Sequence, residues 1–255
     1  MTISPASLLA GAEPPASGTG ASAESKPDYQ LNAVQWAVFT ALLAAPARDN
    51  ARLRAFLASH GEAPVAEPWT ADAEVRDFSC GVALLDEALR RDAAKPATRH
   101  DDSRRDERVR GTFVVLHERR VVAYFTQRIS FVRRAGAEAG AGTEAKADTI
   151  PLIQLQRLAV DRSAQRRGFG SALLRQAVLR AASLAGHCGA PALWVPVLSA
   201  ETRRFYLDRG LQPLPAILDS TGVLLTFDTL RKASAGGAIA EDPGARAVAS
   251  IPGDR

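Results

Sequence analysis

Cysteine is almost missing from this chain: Cys80 and Cys188 are the only two in 255 residues. Two thiols exclude a disulfide-stapled scaffold and a cysteine-built zinc site, and they suit a reducing, cytoplasmic setting. Histidine is as sparse, with His60, His100, His117 and His187 scattered along the chain, so no metal is expected. No apolar run approaches the roughly 18 residues of a membrane-spanning helix, and no membrane partner is expected. The N-terminus has no basic residue before Lys26 and only a short apolar patch, unlike a secretory signal.

What is present is an uneven charge. Residues 1–75 are net −4, while residues 76–134 are net +5 and residues 151–232 net +6. A basic body flanked by acidic segments suits a polyanionic ligand such as RNA or a phosphorylated cofactor, or plain solubility. Residues 1–27 and 233–255, rich in Ser, Ala, Gly and Pro, read as disordered tails. Between them two short helices are expected. One is capped by Asn32 with Trp36, Phe39 and Leu43 on one face and is ended by Pro46. The other is capped by Asn50 with Leu53, Phe56 and Leu57 apolar. Helices this short need a partner surface. Residues 61–68 read as a linker.

From Trp69 onward the pattern is mixed α/β. Strands are expected over residues 70–76, 112–116, 121–132, 152–160, 192–197 and 222–228, and helices over 82–94, 169–184 and 200–209. Residues 135–149 read as a loop. The informative stretch follows Val160, where Gln165-Arg166-Arg167-Gly168-Phe169-Gly170 opens a helix directly after a strand. Glycines there admit close backbone approach, and a helix start offers unpaired N–H groups and a favourable dipole to an anion. Arg166 and Arg167 add charge where a diphosphate would lie.

Leu158-Ala159-Val160 followed by Gln165-x-x-Gly168-x-Gly170 resembles the acetyl-CoA site of GCN5-related N-acetyltransferases. The resemblance implies an α/β fold with a mixed, mostly antiparallel sheet flanked by helices across residues 66–232. It implies acetyl-CoA as cosubstrate, bound by Leu158, Ala159, Val160, Gln165, Arg166, Arg167, Gly168, Phe169, Gly170 and Ser171. It continues in Phe205-Tyr206-x-x-x-Gly210, where Tyr206 would protonate the departing sulfur and a backbone N–H near Val160 would polarise the thioester carbonyl. Two departures stand out: Arg166 replaces a common glycine, and Leu211 replaces a common phenylalanine.

Asp77-Phe78-x-Cys80-Gly81-x-x-x-Leu85-Asp86, Gln156–Asp161 and Ala200–Tyr206 are similar, more narrowly, to the acetyltransferase toxins of bacterial toxin–antitoxin pairs. That resemblance implies aminoacyl-tRNA as the acceptor. The pKa arithmetic agrees: an α-amine near 7.7–8.0 is partly neutral at pH 7, whereas lysine near 10.4 needs a base, and the strand 152–160 holds no carboxylate. Candidate tRNA contacts are Arg90, Arg91, Arg104 and Arg105. The last two lie among Asp101, Asp102, Asp106 and Glu107, so a salt-bridged surface explains them equally well. Cys80 reads as a packed thiol, and His100 and His187 as surface residues. Residues 28–65, through Leu31-Asn32, Trp36, Phe39 and Asn50-x-x-Leu53, resemble the neutralising C-terminal part of a partner antitoxin. That resemblance implies restraint of the enzyme in cis by residues 28–60, or by a separate antitoxin in trans. An acetyltransferase of small amines or protein termini, a catalytically degenerate binding module, and a homodimer all stay open.

Overall fold

The computed structural model describes residues 29–59, 64–70, 73–94, 110–136 and 148–235. The sequence-predicted tail 1–27, residues 236–255 of the sequence-predicted tail 233–255, and most of the charged segment 99–110 and of the loop 135–149, lie outside these residues. The elements in chain order are β1 (Tyr29–Leu31), α1 (Ala33–Ala44), α2 (Ala51–Ala58), β2 (Glu67–Pro68), α3 (Ala83–Ala93), β3 (Arg110–His117), β4 (Arg120–Arg134), β5 (Thr149–Val160), a 3-10 turn (Arg162–Ala164), α4 (Phe169–Cys188), β6 (Ala192–Val195), α5 (Ala200–Leu207), β7 (Gln212–Pro213), β8 (Val223–Thr226) and α6 (Phe227–Ser234).

One sheet runs in the order β2-β3-β4-β5-β6-β8-β7, antiparallel except at β5–β6, and β1 pairs in parallel with the far end of β4. Strand alternation sorts the core onto two faces. Ala123, Phe125, Ile153, Leu155, Leu193 and Val195 point to a face covered by α2, α4, α5 and α6. The opposite face carries two separate apolar clusters. One packs Phe78, Tyr124 and Ala159 under Leu89 of α3, and the other packs Val132, Leu152, Ala192 and Leu224 under Phe39 of α1. This is the mixed, mostly antiparallel α/β architecture expected from the sequence.

Four local differences stand out. Residues 70–76 were expected as a strand, but their described part makes a single bridge, Glu74 to Arg120. The last strand stops at Thr226 rather than Asp228, because the Thr226 hydroxyl accepts from the Thr229 N–H and caps a helix. Residues 233–234, read as disordered, close that helix, whose Phe227, Leu230 and Ala233 are buried. Glu67 and Pro68, read as linker, pair with Val114 and Phe113.

The N-terminal helices are interleaved with the rest of the chain. Asn32 forms a capping box with Gln35. Asn50 caps α2 through its carbonyl oxygen, accepting from Leu53 N–H, while its Nδ2 donates to Gly210 O at 2.7 Å. Gly210 has φ +90, and a Cβ there would lie 2.6 Å from Leu53 N, so only glycine fits against α2. Leu53 is fully buried in the main core, and Arg175 Nε donates to Leu57 O at 3.0 Å.

Candidate active site

The site begins where two neighbouring strands part. β5 pairs with β4 along its whole length, but with β6 only at Ile153–Leu193 and Gln154–Trp194. Residues 155–160 run on without a partner in β6. A register shift leaves Gln156 as an extra residue in β5, between the pairs Thr126–Arg157 and Gln127–Leu155, and such a bulge bends its strand. Pro196, which has no N–H to donate, follows the end of β6. Ser199 then caps α5, which lays Phe205 beside the open strand: a Cβ on Gly170 would sit 3.6 Å from that ring and 3.9 Å from Val160 Cγ2. The result is a fork with one backbone edge of β5 exposed.

The loop leaving the fork is pinned from below. Asp161 is buried and accepts from the N–H groups of Ser79 and Ser163, each at 2.9 Å, and from the Ser163 hydroxyl at 2.6 Å. Burial alone would raise its carboxyl. The hydrogen bonds from Ser163 and Ser79, with Arg120 at 3.6 Å, outweigh that and hold its pKa below the usual carboxylate value. Gln165 Nε2 donates to Cys80 O at 2.8 Å and Val160 O at 2.9 Å. Beyond it Arg166 (φ 59) and Gly168 (φ 88) are left-handed, and α4 begins. The N–H groups of residues 166–171 make no well-formed hydrogen bond among the described residues. A run of unpaired donors in a twisted turn at a helix N-terminus is a concave anion cradle.

The sequence-predicted binding residues divide into two groups. Leu158 and Val160 are half-buried along the fork, and Arg166, Arg167, Gly168, Phe169 and Gly170 form the cradle and its rim. Arg167 also lies 5.8 Å from the Phe169 ring, beside a cavity of ≈ 310 Å³ that Arg120 and His117 share. Ala159 faces the other side of the sheet, Gln165 braces the loop, and the Ser171 hydroxyl accepts from Arg209 Nη2 at 2.7 Å. Arg209, not singled out in the sequence, also donates to Phe205 O at 2.7 Å and stacks 3.7 Å over the Phe205 ring. It ties α5 to the first turn of α4. Its one visible signal was its place beside the departure at Leu211.

Tyr206 is buried and meets Phe205 edge to face at 5.2 Å. Its hydroxyl makes no hydrogen bond among the described residues, and burial pushes its pKa above the ordinary phenol value. The Cys80 thiol is pushed up to about 11 by burial and by Asp86, so it is not a thiolate at neutral pH. Arg90 donates to Phe78 O at 2.9 Å while Arg91 is exposed in the last turn of α3. Arg104 and Arg105 lie outside the described residues. No cluster of metal-ligating side chains occurs among the described residues, and no described helix is long and apolar enough to cross a membrane.

A polar seam that the sequence did not reveal crosses the opposite sheet face, between the α1 and α3 clusters. Thr126, Ser130 and Gln154 are buried there. Thr112 and Thr126 share a 3.0 Å hydrogen bond, and Arg157 pairs with Asp92 at 2.5 Å. A sheet face covered by helices is ordinarily apolar; here the buried polar side chains between the two clusters are hydrogen-bonded to one another instead.

Residues 109–212 match the family model of the acetyltransferase (GNAT) domain. A tRNA-acetylating toxin of Mycobacterium tuberculosis (strain ATCC 25618 / H37Rv) is 37% identical over 134 residues, covering 52% of this chain and 75% of the relative. Among solved structures, AtaTR bound with AcCoA has a TM-score of 0.52 at 23% identity, covering 68% of this chain and 98% of that one. AtaT complexed with acetyl-methionyl-tRNAfMet has a TM-score of 0.50 at 23% identity, covering 66% and 97%. At these identities the solved structures speak for the fold, and the curated relative speaks for descent. The fork, the cradle and the matched span agree: the chain belongs to the GNAT family of acetyltransferases.

Proposed function

We propose that this acetyltransferase acts on the α-amino group of aminoacyl-tRNA. The N–H run of residues 166–171, without a well-formed partner among the described residues, at the mouth of an open strand edge carries the cosubstrate half of this reading. That donor set fits the diphosphate of acetyl-CoA, and the free edge of β5 fits the amide groups of its pantetheine arm. When bound, acetyl-CoA supplies an acetyl group activated as a thioester.

The chain's own residues do the rest. The N–H groups of 166–171, with Arg166 beside them, bind the phosphates. Leu158 and Val160 flank the arm, and a backbone N–H near Val160 donates to the carbonyl that is to be attacked. Tyr206 holds a proton at its hydroxyl for the departing sulfur, and its raised pKa keeps that proton in place. Arg209 holds α5, and so Tyr206, against the cradle. The acceptor amine approaches the open mouth of the fork, and Arg90, Arg91, Arg104 and Arg105 are the side chains proposed to meet an RNA backbone.

The acceptor class is supported by the 37% identical relative, named a tRNA-acetylating toxin, and by the residues of β5. That strand offers no carboxylate to deprotonate a lysine, while an α-amine is partly neutral unaided. A panel of charged tRNA, deacylated tRNA, lysyl peptides and polyamines tests it. Charged tRNA should have the highest kcat/KM by at least an order of magnitude, and a preferred small amine would move the protein to a different acceptor class.

We read residues 29–59 as part of the catalytic unit rather than a releasable clamp, because α2 sits in the main core. Leu53→Ala should destabilise the whole domain by about 2–5 kcal/mol in urea unfolding and raise no activity. A gain in acetylation by that variant would favour restraint in cis, and a separate antitoxin would be left as the alternative regulator.

A further inference from the structure

Tyr206 stands on a short helix. α5 runs only from Ala200 to Leu207, and Tyr206 is its one buried residue. Two turns of helix are not stable by themselves, so the direction of α5 depends on how its ends are anchored. Ser199 caps the N-terminal end. The C-terminal end is anchored by Arg209. Its Nη1 donates to Phe205 O, a carbonyl of the last turn, at 2.7 Å, while Nε and Nη2 both donate to Ser171 Oγ, at 3.2 and 2.7 Å. The same guanidinium covers the Phe205 ring at 3.7 Å. Ser171 lies in the first turn of α4, whose N–H groups form the cradle. Burial and the positive pole of α4 both disfavour a cation at this place, so directed contacts rather than charge hold the side chain there.

We propose that Arg209 is a positioning residue that sets the reach from the cradle to the Tyr206 hydroxyl. The proposal rests on the reading of Tyr206 as the acid and deepens it. The cradle holds one end of the pantetheine arm and β5 its length, so these two elements decide where the sulfur lies. A proton donor on a separate helix meets that sulfur only if its helix keeps a fixed register against the cradle. The Ser171–Arg209–Phe205 link supplies the register, because one planar guanidinium ties the first turn of α4 to the last turn of α5 at set angles. Misplacement of a reacting group by about 1 Å can cost about 10²-fold in rate. CoA affinity is a separate matter. It depends on the backbone of residues 166–171, which Asp161 and Gln165 brace without Arg209.

The experiment compares Arg209→Lys, Ser171→Ala, Ser171→Thr, Tyr206→Phe and the double variant Arg209→Lys with Tyr206→Phe. Each is measured by kinetics with the preferred acceptor of the panel, by calorimetry of CoA binding and by amide hydrogen exchange. Arg209→Lys keeps the charge but gives up the planar fork. It and Ser171→Ala should each lower kcat by about 10–100-fold, the scale of hydrogen bonds to a charged group, with CoA affinity kept within about threefold. Amide exchange should speed up by about tenfold in residues 200–209 and stay as in wild type elsewhere, as for a local loosening. Ser171→Thr keeps the hydroxyl and should retain kcat within about threefold of wild type. The double variant should be no slower than Tyr206→Phe alone, because Arg209 acts through that hydroxyl. Unchanged kcat in Arg209→Lys and Ser171→Ala, or a multiplicative loss in the double variant, would overturn the proposal. So would a joint fall of CoA affinity and of exchange protection across the whole domain in both variants. A slow Tyr206→Phe beside a fast Arg209→Lys leaves the acid in place and removes only the link, whereas wild-type kcat in Tyr206→Phe removes the acid and the link together.

Discussion

Tyr206→Phe should lower kcat by about 10²–10⁴-fold, the usual contribution of a general acid, while CoA affinity and unfolding stability stay close to wild type. The substitution removes one oxygen and keeps the ring in its edge-to-face contact with Phe205. That oxygen has no hydrogen bond among the described residues, so its loss leaves no buried group stranded. The pH profile adds a second readout with a defined sign. Burial raises the folded pKa of Tyr206, so the hydroxyl stays protonated well past the range of an ordinary phenol. The rate should therefore climb as the α-amine deprotonates near pH 7.7–8.0 and then stay level, with no alkaline fall at the ordinary tyrosine pKa. Wild-type kcat in the variant would return Tyr206 to the core.

Gly168→Asp should abolish measurable CoA binding by calorimetry. Gly168 sits at φ +88 with open space where a Cβ would go, so the damage is not a clash. An L-residue is strained at that angle, which disturbs the turn that presents the N–H groups. The added carboxylate also occupies the cradle and repels phosphate. Gly168→Ala separates the two effects: it carries the strain without the charge and should lose markedly less affinity. Unchanged affinity in the aspartate variant would place the phosphates elsewhere.

The elements of the candidate site were legible because their local rules are strong. A strand ending at Val160, a glycine-bearing turn and an amphipathic helix from Phe169 form one uninterrupted pattern, and α5 with Tyr206 follows at a fixed place behind it. The roles of Gln165 and Ser171 were less visible. Both stand inside the motif, yet their side chains face Cys80, Val160 and Arg209, and a motif does not say which of its members serve the fold. The polar seam left no trace because Thr126, Ser130 and Gln154 alternate with apolar neighbours as any half-exposed strand would. Only the helices on both sides make them buried. Helix α6 was missed because Thr226-Phe227 reads as the end of a strand until the Thr226 side chain is seen to cap the next turn. The N-terminal helices were expected from their caps, whereas the burial of α2 in the main core depends on its fit against Gly210, 160 residues from Asn50, and so on tertiary contact alone.

The most direct test of the account is the fate of the acetyl group. Protein, labelled acetyl-CoA and charged tRNA are incubated, the tRNA is isolated, and its aminoacyl ester is cleaved with mild base. The account predicts that the label leaves the tRNA with the amino acid, as the N-acetyl derivative, and that deacylated tRNA takes up none. Label that stays on the polynucleotide, or that appears on lysyl peptides or polyamines with equal efficiency, would contradict it.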